Sequence, residues 1–240
     1  ANVKVSIAAG ATVTLDNATI NGVHNTSYTW AGINCLGDAT IVLKDGSVNS
    51  VKGFHGYYPG IHVPSGSTLT IQGGSEGTGK LTATSNEYGA GIGGGANIAC
   101  GNISITGGII EVLVHASSSA GIGGGGSVSC GDISITGGTV TATGALGTAA
   151  IGSGDSGSCG DITIASTVNK VTAYKGIDAN FTIGKGNYGT CGKVTIGGTV
   201  YWQDNAAVNA DAATYLAQPK IVYPKWDGDL SKLTAQSTAE

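Results

Sequence analysis

The sequence predicts an all-β chain: a right-handed, single-stranded parallel β-helix of about seven coils, with three short strands per coil and a C-terminal capping segment. Three observations carry that expectation. Glycine supplies 43 of the 240 residues, roughly 2.5 times its ordinary share of about 7 %. So much glycine disfavours helices, where each one costs on the order of 1 kcal/mol relative to Ala, and no strict Gly-X-Y period makes the chain collagen. Hydrophobic residues nevertheless reach 40 %, enough to build a core. Finally, one motif recurs at a period near 30 residues, the mark of a repeat architecture.

The clearest copies are Ala90-Gly-Ile-Gly-Gly-Gly-Ala-Asn-Ile-Ala-Cys-Gly-Asn-Ile-Ser-Ile-Thr-Gly-Gly and Ala120-Gly-Ile-Gly-Gly-Gly-Gly-Ser-Val-Ser-Cys-Gly-Asp-Ile-Ser-Ile-Thr-Gly-Gly, with a looser copy from Ala149 to Ile164. An apolar-x-apolar marker extends the register. It begins at Val13, Ile41, Leu69, Ile103, Ile133, Ile162 and Val194, at spacings of 28, 28, 34, 30, 29 and 32 residues. A second marker keeps step at Ile33, Ile61, Ile92, Ile122, Ile151 and Ile183. A third runs through Ile20, Val48, Leu81, Ile110, Val140, Val171 and Val200. Three short alternating strands per repeat, joined by Gly-rich turns, fit one coil of a β-helix and no helical solenoid. Coils stacked at the strand spacing of about 4.8 Å give a rod roughly 30 to 35 Å long. A right-handed wind is the default for parallel connections. Residues 1–204 form the β-helix in this reading and 205–240 a cap and tail or linker, with 205–219 as a short helix or loop plugging the end.

Cys100, Cys130, Cys159 and Cys191 occupy one slot of the repeat, each followed by Gly, and stack as a column. The column is either a row of small buried hydrophobes or a set of bridges, since vertical neighbours fall near the 4.4–6.8 Å Cα separation of a disulfide. A straight column of thiols does not converge on a tetrahedral metal centre. Cys35 lies outside it, as a buried residue. Asn102, Asp132 and Asp161 follow the Cys-Gly pair and suit side-chain to backbone bonding at a turn. No cofactor is expected, calcium near Asp155 or Asp161 being the one exception a row of oxygens leaves open.

Outward positions of the coils carry Thr and Ser, as on a solvated sheet. The aromatic residues break that uniformity. Tyr28, Trp30, Phe54, His55, Tyr57, Tyr58 and Tyr88 fall at equivalent corners of coils one to three, whereas the later coils place Ser118-Ser119 and Gly147-Thr148 there. Such rings can close the open hydrophobic end of a solenoid. They can also form a binding patch, because a sugar stacks its C–H face on a ring and hydrogen-bonds to edge groups. The candidate ligand-binding residues are therefore Tyr28, Trp30, His55, Tyr57, Tyr58, His62, Glu87 and Tyr88. A second cluster, Tyr174, Tyr201, Trp202, Tyr215, Tyr223 and Trp226, follows the last coil and reads as a cap.

Composition excludes several classes. Eleven Lys, no Arg and a net charge of −4 leave no basic patch for nucleic acid. No apolar run reaches the 18 residues of a membrane span, and no signal peptide is evident. The absence of Met suggests a processed or excised fragment. Catalysis finds little support: the chain has no Arg to serve as a lyase base, its acids are scattered rather than paired at hydrolase distances, and its four His lack a Ser or Cys partner at motif spacing.

The Ala-Gly-Ile-Gly-Gly-Gly … Cys-Gly-Asn/Asp-Ile-Ser-Ile-Thr-Gly-Gly coil resembles the Gly-rich right-handed β-helix repeats of secreted and surface proteins of gut bacteria. In particular it is similar, over residues 31–200, to the β-helical carbohydrate-binding module appended to bacterial xylanases. The resemblance implies a non-catalytic module that binds plant cell-wall polysaccharide, xylan first, and holds a covalently linked glycoside hydrolase on it, outside the cell or on a bacterial surface. The alternatives are a surface adhesin or structural β-helix, a polysaccharide-degrading enzyme, and an ice-binding protein with Thr-x-Thr rows.

Overall fold

The computed structural model describes residues 3–114 and 118–224. The chain winds as a parallel β-helix whose three walls are parallel sheets running along the axis. The first wall stacks Val5, Ile33, Ile61, Ile92, Ile122, Ile151 and Ile183, one per coil. The second stacks Val13, Ile41, Ile71, Ile105, Ile135, Ile164 and Ile196. The third stacks Ile20, Val51, Ala83, Val112, Ala142 and Ala173. From the second coil onward every one of these side chains is buried, whereas Val5, Val13 and Ile20 in the first coil are half-covered.

Six coils are complete and a seventh contributes only its first two walls, one fewer than the seven full coils expected. After Ile196 the chain reverses. Gly197 and Gly198 both take positive φ, 60° and 85°, the requirement of a two-residue hairpin turn whose twist matches the strands. Strand Thr199–Gln203 therefore pairs antiparallel with Val194–Ile196. Val200, expected in the third wall, lies opposite Thr195 in the second instead. Its place on the third wall is taken by Lys220–Pro224, antiparallel to Lys170–Tyr174. Helix α1 (Ala210–Leu216) sits between them, its N-cap Asn209 accepting the Ala212 N–H at 2.8 Å. It buries Ala212 and Leu216. Trp202 and Tyr223, 5 % and 2 % exposed, close the end of the core.

Three registers in the early coils also differ from the expected columns, the first being Ile20, which pairs with Val51 rather than Val48. Ile41 pairs with Ile71 rather than Leu69, which pairs with Ala39. A slip of two keeps every side chain on its own face, so the core is unchanged. In the third wall the slip is one residue: Asn49, not Val48, stacks on Leu81. Val48 is left 61 % exposed and Asn49 is buried. The amide explains why. Asn49 Oδ1 accepts the Ala18 N–H at 2.9 Å, and Nδ2 donates to Ser47 Oγ at 2.9 Å and to the Lys80 carbonyl at 3.0 Å. It thus satisfies backbone groups in the coils before and after its own.

The Ile-Gly pair of the repeat has a steric cause. Gly93, Gly123, Gly152 and Gly184 hold φ of 134°, 129°, 140° and 125°, and a Cβ on any of the first three would overlap the next coil's glycine carbonyl. Only glycine lets backbone stack on backbone there. In the adjoining corner Cys100 and Cys130 form a disulfide across consecutive coils, with Cα atoms 4.6 Å apart. Cys159 and Cys191 continue the column as buried free thiols. Cys35 is buried on the first wall beside Ile7, and burial pushes its thiol pKa up to about 12. The oxygen row beside the column is a hydrogen-bond ladder. Asn102 Oδ1 accepts the Asp132 N–H, Asp132 Oδ1 that of Asp161, and Asp161 Oδ1 that of Lys193, at 2.8–2.9 Å. Each side chain caps the following coil rather than its own turn.

Candidate functional site

All the early aromatic residues lie at the corner where the third wall turns into the first, in loops 22–32, 53–60 and 85–91. The loops are short turns stacked on one another. In the first, Asn25 Oδ1 accepts the Ser27 N–H at 2.8 Å and the Asn25 carbonyl that of Tyr28 at 3.1 Å. In the second, Tyr58 N–H closes a turn on the His55 carbonyl at 3.0 Å. Between loops, Asn25 N–H donates to the Phe54 carbonyl at 3.1 Å, and Tyr88 N–H to the Gly56 carbonyl at 2.7 Å.

The structure divides the candidate residues into two groups and sets one apart. Tyr28, Trp30 and Phe54 form a knot with ring centroids 5.3–6.3 Å apart. Phe54 is 4 % exposed, and the Trp30 indole N–H is buried without a hydrogen-bond partner among the described residues. This knot packs the loops of the first two coils together. The second group is open to solvent. Tyr57 and Tyr88, 49 % and 37 % exposed, meet at 5.4 Å with their rings inclined by 48°. His55 lies 5.1 Å from Tyr57 and 5.8 Å, edge-on, from Tyr58. His55 Nδ1 takes the Tyr57 N–H at 3.0 Å, which assigns the ring proton of the neutral form to Nε2.

Beside these rings Glu87 approaches His24, Oε1 to Nε2 3.6 Å, joining loops of the first and third coils. Gly56 lies beneath them: a Cβ there would stand 2.5 Å from Glu87 Oε2 and 3.2 Å from His24 Nε2. The second group therefore combines two exposed phenols, an imidazole N–H and a carboxylate–imidazole pair. His62 is not drawn into it. It sits outward on the first wall beside Asn34, its Nε2 3.1 Å from the Ala99 carbonyl. Burial lowers its pKa, with the Ala99 contact opposing, so the ring is neutral near pH 7.

The motif reading passed over three contributors. His24 stands 63 residues from Glu87 in the sequence and reaches it only because two turns of the chain bring Glu87 back over the same corner. Leu146 and Ile177, 50 % and 76 % exposed, occupy the same corner in later coils, where Gly147 N–H donates to the Ile177 carbonyl at 2.8 Å. The corner expected to be smooth thus carries apolar side chains further along the axis. Solvent exposure, the property that marks them, is not written in the repeat.

Apart from Tyr174, which is 37 % exposed, the described residues of the C-terminal aromatic cluster pack against one another or into the core. Tyr201 stacks on Tyr215 at 4.6 Å, and Phe181 meets Trp202 at 5.3 Å. Lys185 lies over Trp202 and Lys220 over Tyr174, each at 5.2 Å. Burial raises the phenol pKa values of Tyr201 and Tyr215. Trp226 lies outside the described residues. A separate groove of about 650 Å³ follows the corner between the second and third walls, with Gly73, Gly107, Gly108 and Gly138 along it and the Gly74–Gly77 loop beside it. Asp45 holds that loop, accepting N–H groups of Glu76 and Thr78 at 3.0 and 3.1 Å. Those bonds keep its carboxyl pKa below the ordinary value against a smaller desolvation effect.

Asp38, Asp45 and Glu87 stand at three different corners, and Asp38 is engaged with the Thr68 N–H at 2.8 Å. Among the described residues no three His, Cys, Asp or Glu side chains gather as a metal-ligand set, and no helix is long and apolar enough to cross a membrane. Comparison of the chain with protein-family models, curated proteins and solved structures gave no match in any of the three. The class of the protein therefore rests on its own architecture: a parallel β-helix with one aromatic-bearing corner.

Proposed function

We propose that this chain is a non-catalytic carbohydrate-binding module for plant cell-wall polysaccharide, xylan first, acting outside the cell to hold a covalently linked glycoside hydrolase on its substrate. The observation that carries the reading is the exposed Tyr57–Tyr88 pair flanked by His55 and the His24–Glu87 pair. Two inclined rings offer apolar faces to a sugar while the phenols, the His55 N–H and the Glu87 carboxylate offer hydrogen bonds to its hydroxyls. Among the described residues Asp38, Asp45 and Glu87 stand at three different corners, and Asp132 and Asp161 are engaged as acceptors for the following coil's N–H groups, which favours binding over cleavage. A disulfide in the scaffold agrees with an oxidising compartment.

Affinity gel electrophoresis on xylan, mixed-linkage glucan and pectin tests the reading. The wild type is expected to be retarded on xylan. Aromatic contacts of this kind contribute about 0.5–1.5 kcal/mol each, so Tyr57→Ala with Tyr88→Ala weakens binding about tenfold or more. Tyr28→Ala, in the packed knot, leaves it nearly unchanged. Retardation on no glycan, or retardation indifferent to the double substitution, refutes the proposal. A surface adhesin or spacer is the second reading, favoured by Leu146 and Ile177, whose exposed aliphatic side chains suit a protein surface better than a sugar.

A further inference from the structure

The sulfur column contains an unfinished pattern. Cys100 and Cys130 are bonded, while Cys159 and Cys191 are free and buried. The backbone relation of the second pair repeats that of the first. Gly131 N–H donates to the Cys100 carbonyl at 3.2 Å, and Gly192 N–H to the Cys159 carbonyl at 3.0 Å. Cys159 and Cys191 are direct partners in a two-stranded parallel sheet, where neighbouring strands stand about 4.8 Å apart. That separation lies within the disulfide range, close to the 4.6 Å Cα separation of the bonded pair.

We propose that Cys159 and Cys191 close a second disulfide, so that four consecutive coils are covalently joined two by two and Cys35 remains as the single thiol. The pairing follows from the column itself. Four sulfurs in a row can be fully paired between nearest neighbours in one way only: first with second and third with fourth. A Cys130–Cys159 bond would strand Cys100 and Cys191 at opposite ends.

The oxidant is a low-molecular-weight disulfide such as oxidised glutathione. The Cys191 thiolate attacks one of its sulfurs, forming a mixed disulfide and releasing one glutathione thiolate. The Cys159 thiolate then displaces the second glutathione from Cys191. Two protein thiols lose two protons and two electrons, and one small disulfide becomes two thiols. The hydrogen bond from Cys191, burial and nearby negative charge all hold the Cys159 thiol well above its ordinary pKa. Closure is therefore slow in the folded protein and fast while the coils assemble.

The sequence supplies a clean assay. Cleavage after lysine yields one peptide, 81–170, carrying Cys100, Cys130 and Cys159, and a short peptide, 186–193, carrying Cys191. The protein is refolded with oxidised glutathione, alkylated in denaturant without reduction, cleaved and weighed. The expected result is one alkylated cysteine per chain, Cys35, with the short peptide linked to the long one. Cys159→Ser is expected to free the short peptide with Cys191 alkylated or glutathionylated. Three alkylated cysteines with a free short peptide in the wild type overturn the proposal. So does a link that survives Cys159→Ser. If the variant does not fold, cleavage of the wild type after acidic residues decides, because Asp155 and Asp161 isolate Cys159 on a short peptide of its own: its absence from the link to Cys191 overturns the proposal.

Discussion

Asn49 and Val48 show what a single position decides. By hydropathy Val48 belongs inside and Asn49 outside, and the structure reverses them. Two hydrogen bonds to neighbouring coils and one to Ser47 in its own coil outweigh the exposure of one valine. The signal was absent from the sequence because the partners, Ala18 and Lys80, are 31 residues away on either side. Asn49→Ala leaves the Ala18 N–H and the Lys80 carbonyl, at part-buried positions, without their partner, and an unsatisfied buried group costs about 1–3 kcal/mol. We expect at least about 2 kcal/mol of lost stability by urea denaturation, with the denaturant slope unchanged. Ser6→Ala, at an exposed strand position, provides the mild comparison. The repeating glycines were far more legible, because Ile-Gly recurs in every copy of the motif and has a steric cause in each.

The last element of the rod was the least legible. Val200 continues the apolar periodicity and was placed on the third wall, but Gly197-Gly198 before it forms a tight hairpin turn that reverses the strand. Turn chemistry overrides periodicity where the two conflict. The reversal ends parallel stacking and lets antiparallel strand 220–224 and helix α1 seal the core. Trp202 is the centre of that seal, in contact with Phe181 and Lys185. Trp202→Ala is expected to cost about 3–5 kcal/mol, read as a lower urea midpoint. The glycan retardation proposed for Tyr57 and Tyr88, in the early coils, is expected to survive wherever the variant remains folded. The aromatic corner itself was visible as a cluster of rings in equivalent loops. Its division into a packed knot and an exposed pair was not, because it depends on which loop lies over which.

At the scale of the molecule the fold was legible because the chain states it about seven times. A site occurs once, and only the stacking of loops 53–60 and 85–91 brings its parts together. The repeat also sets how the molecule tolerates change, since the strands of each coil pair only with those of its neighbours. Deleting residues 103–132 joins Asn102 to Ile133, the in-register counterpart of Ile103. The shortened protein is expected to keep a β-sheet circular dichroism spectrum and the Tyr57–Tyr88 pair, with a lower urea midpoint. An unfolded product would show that the coils are not interchangeable.

The Cys100–Cys130 bond also fixes how far the molecule can be drawn out. In the tethering role proposed above the chain would carry load between its ends, and a β-helix would yield to such load by peeling one coil after another. The disulfide closes the chain between residues 100 and 130 into a loop that tension cannot open. At about 3.4 Å per extended residue, that withholds roughly 100 Å of length from the stretched chain. In single-molecule pulling, adding a reductant would restore it as one additional step.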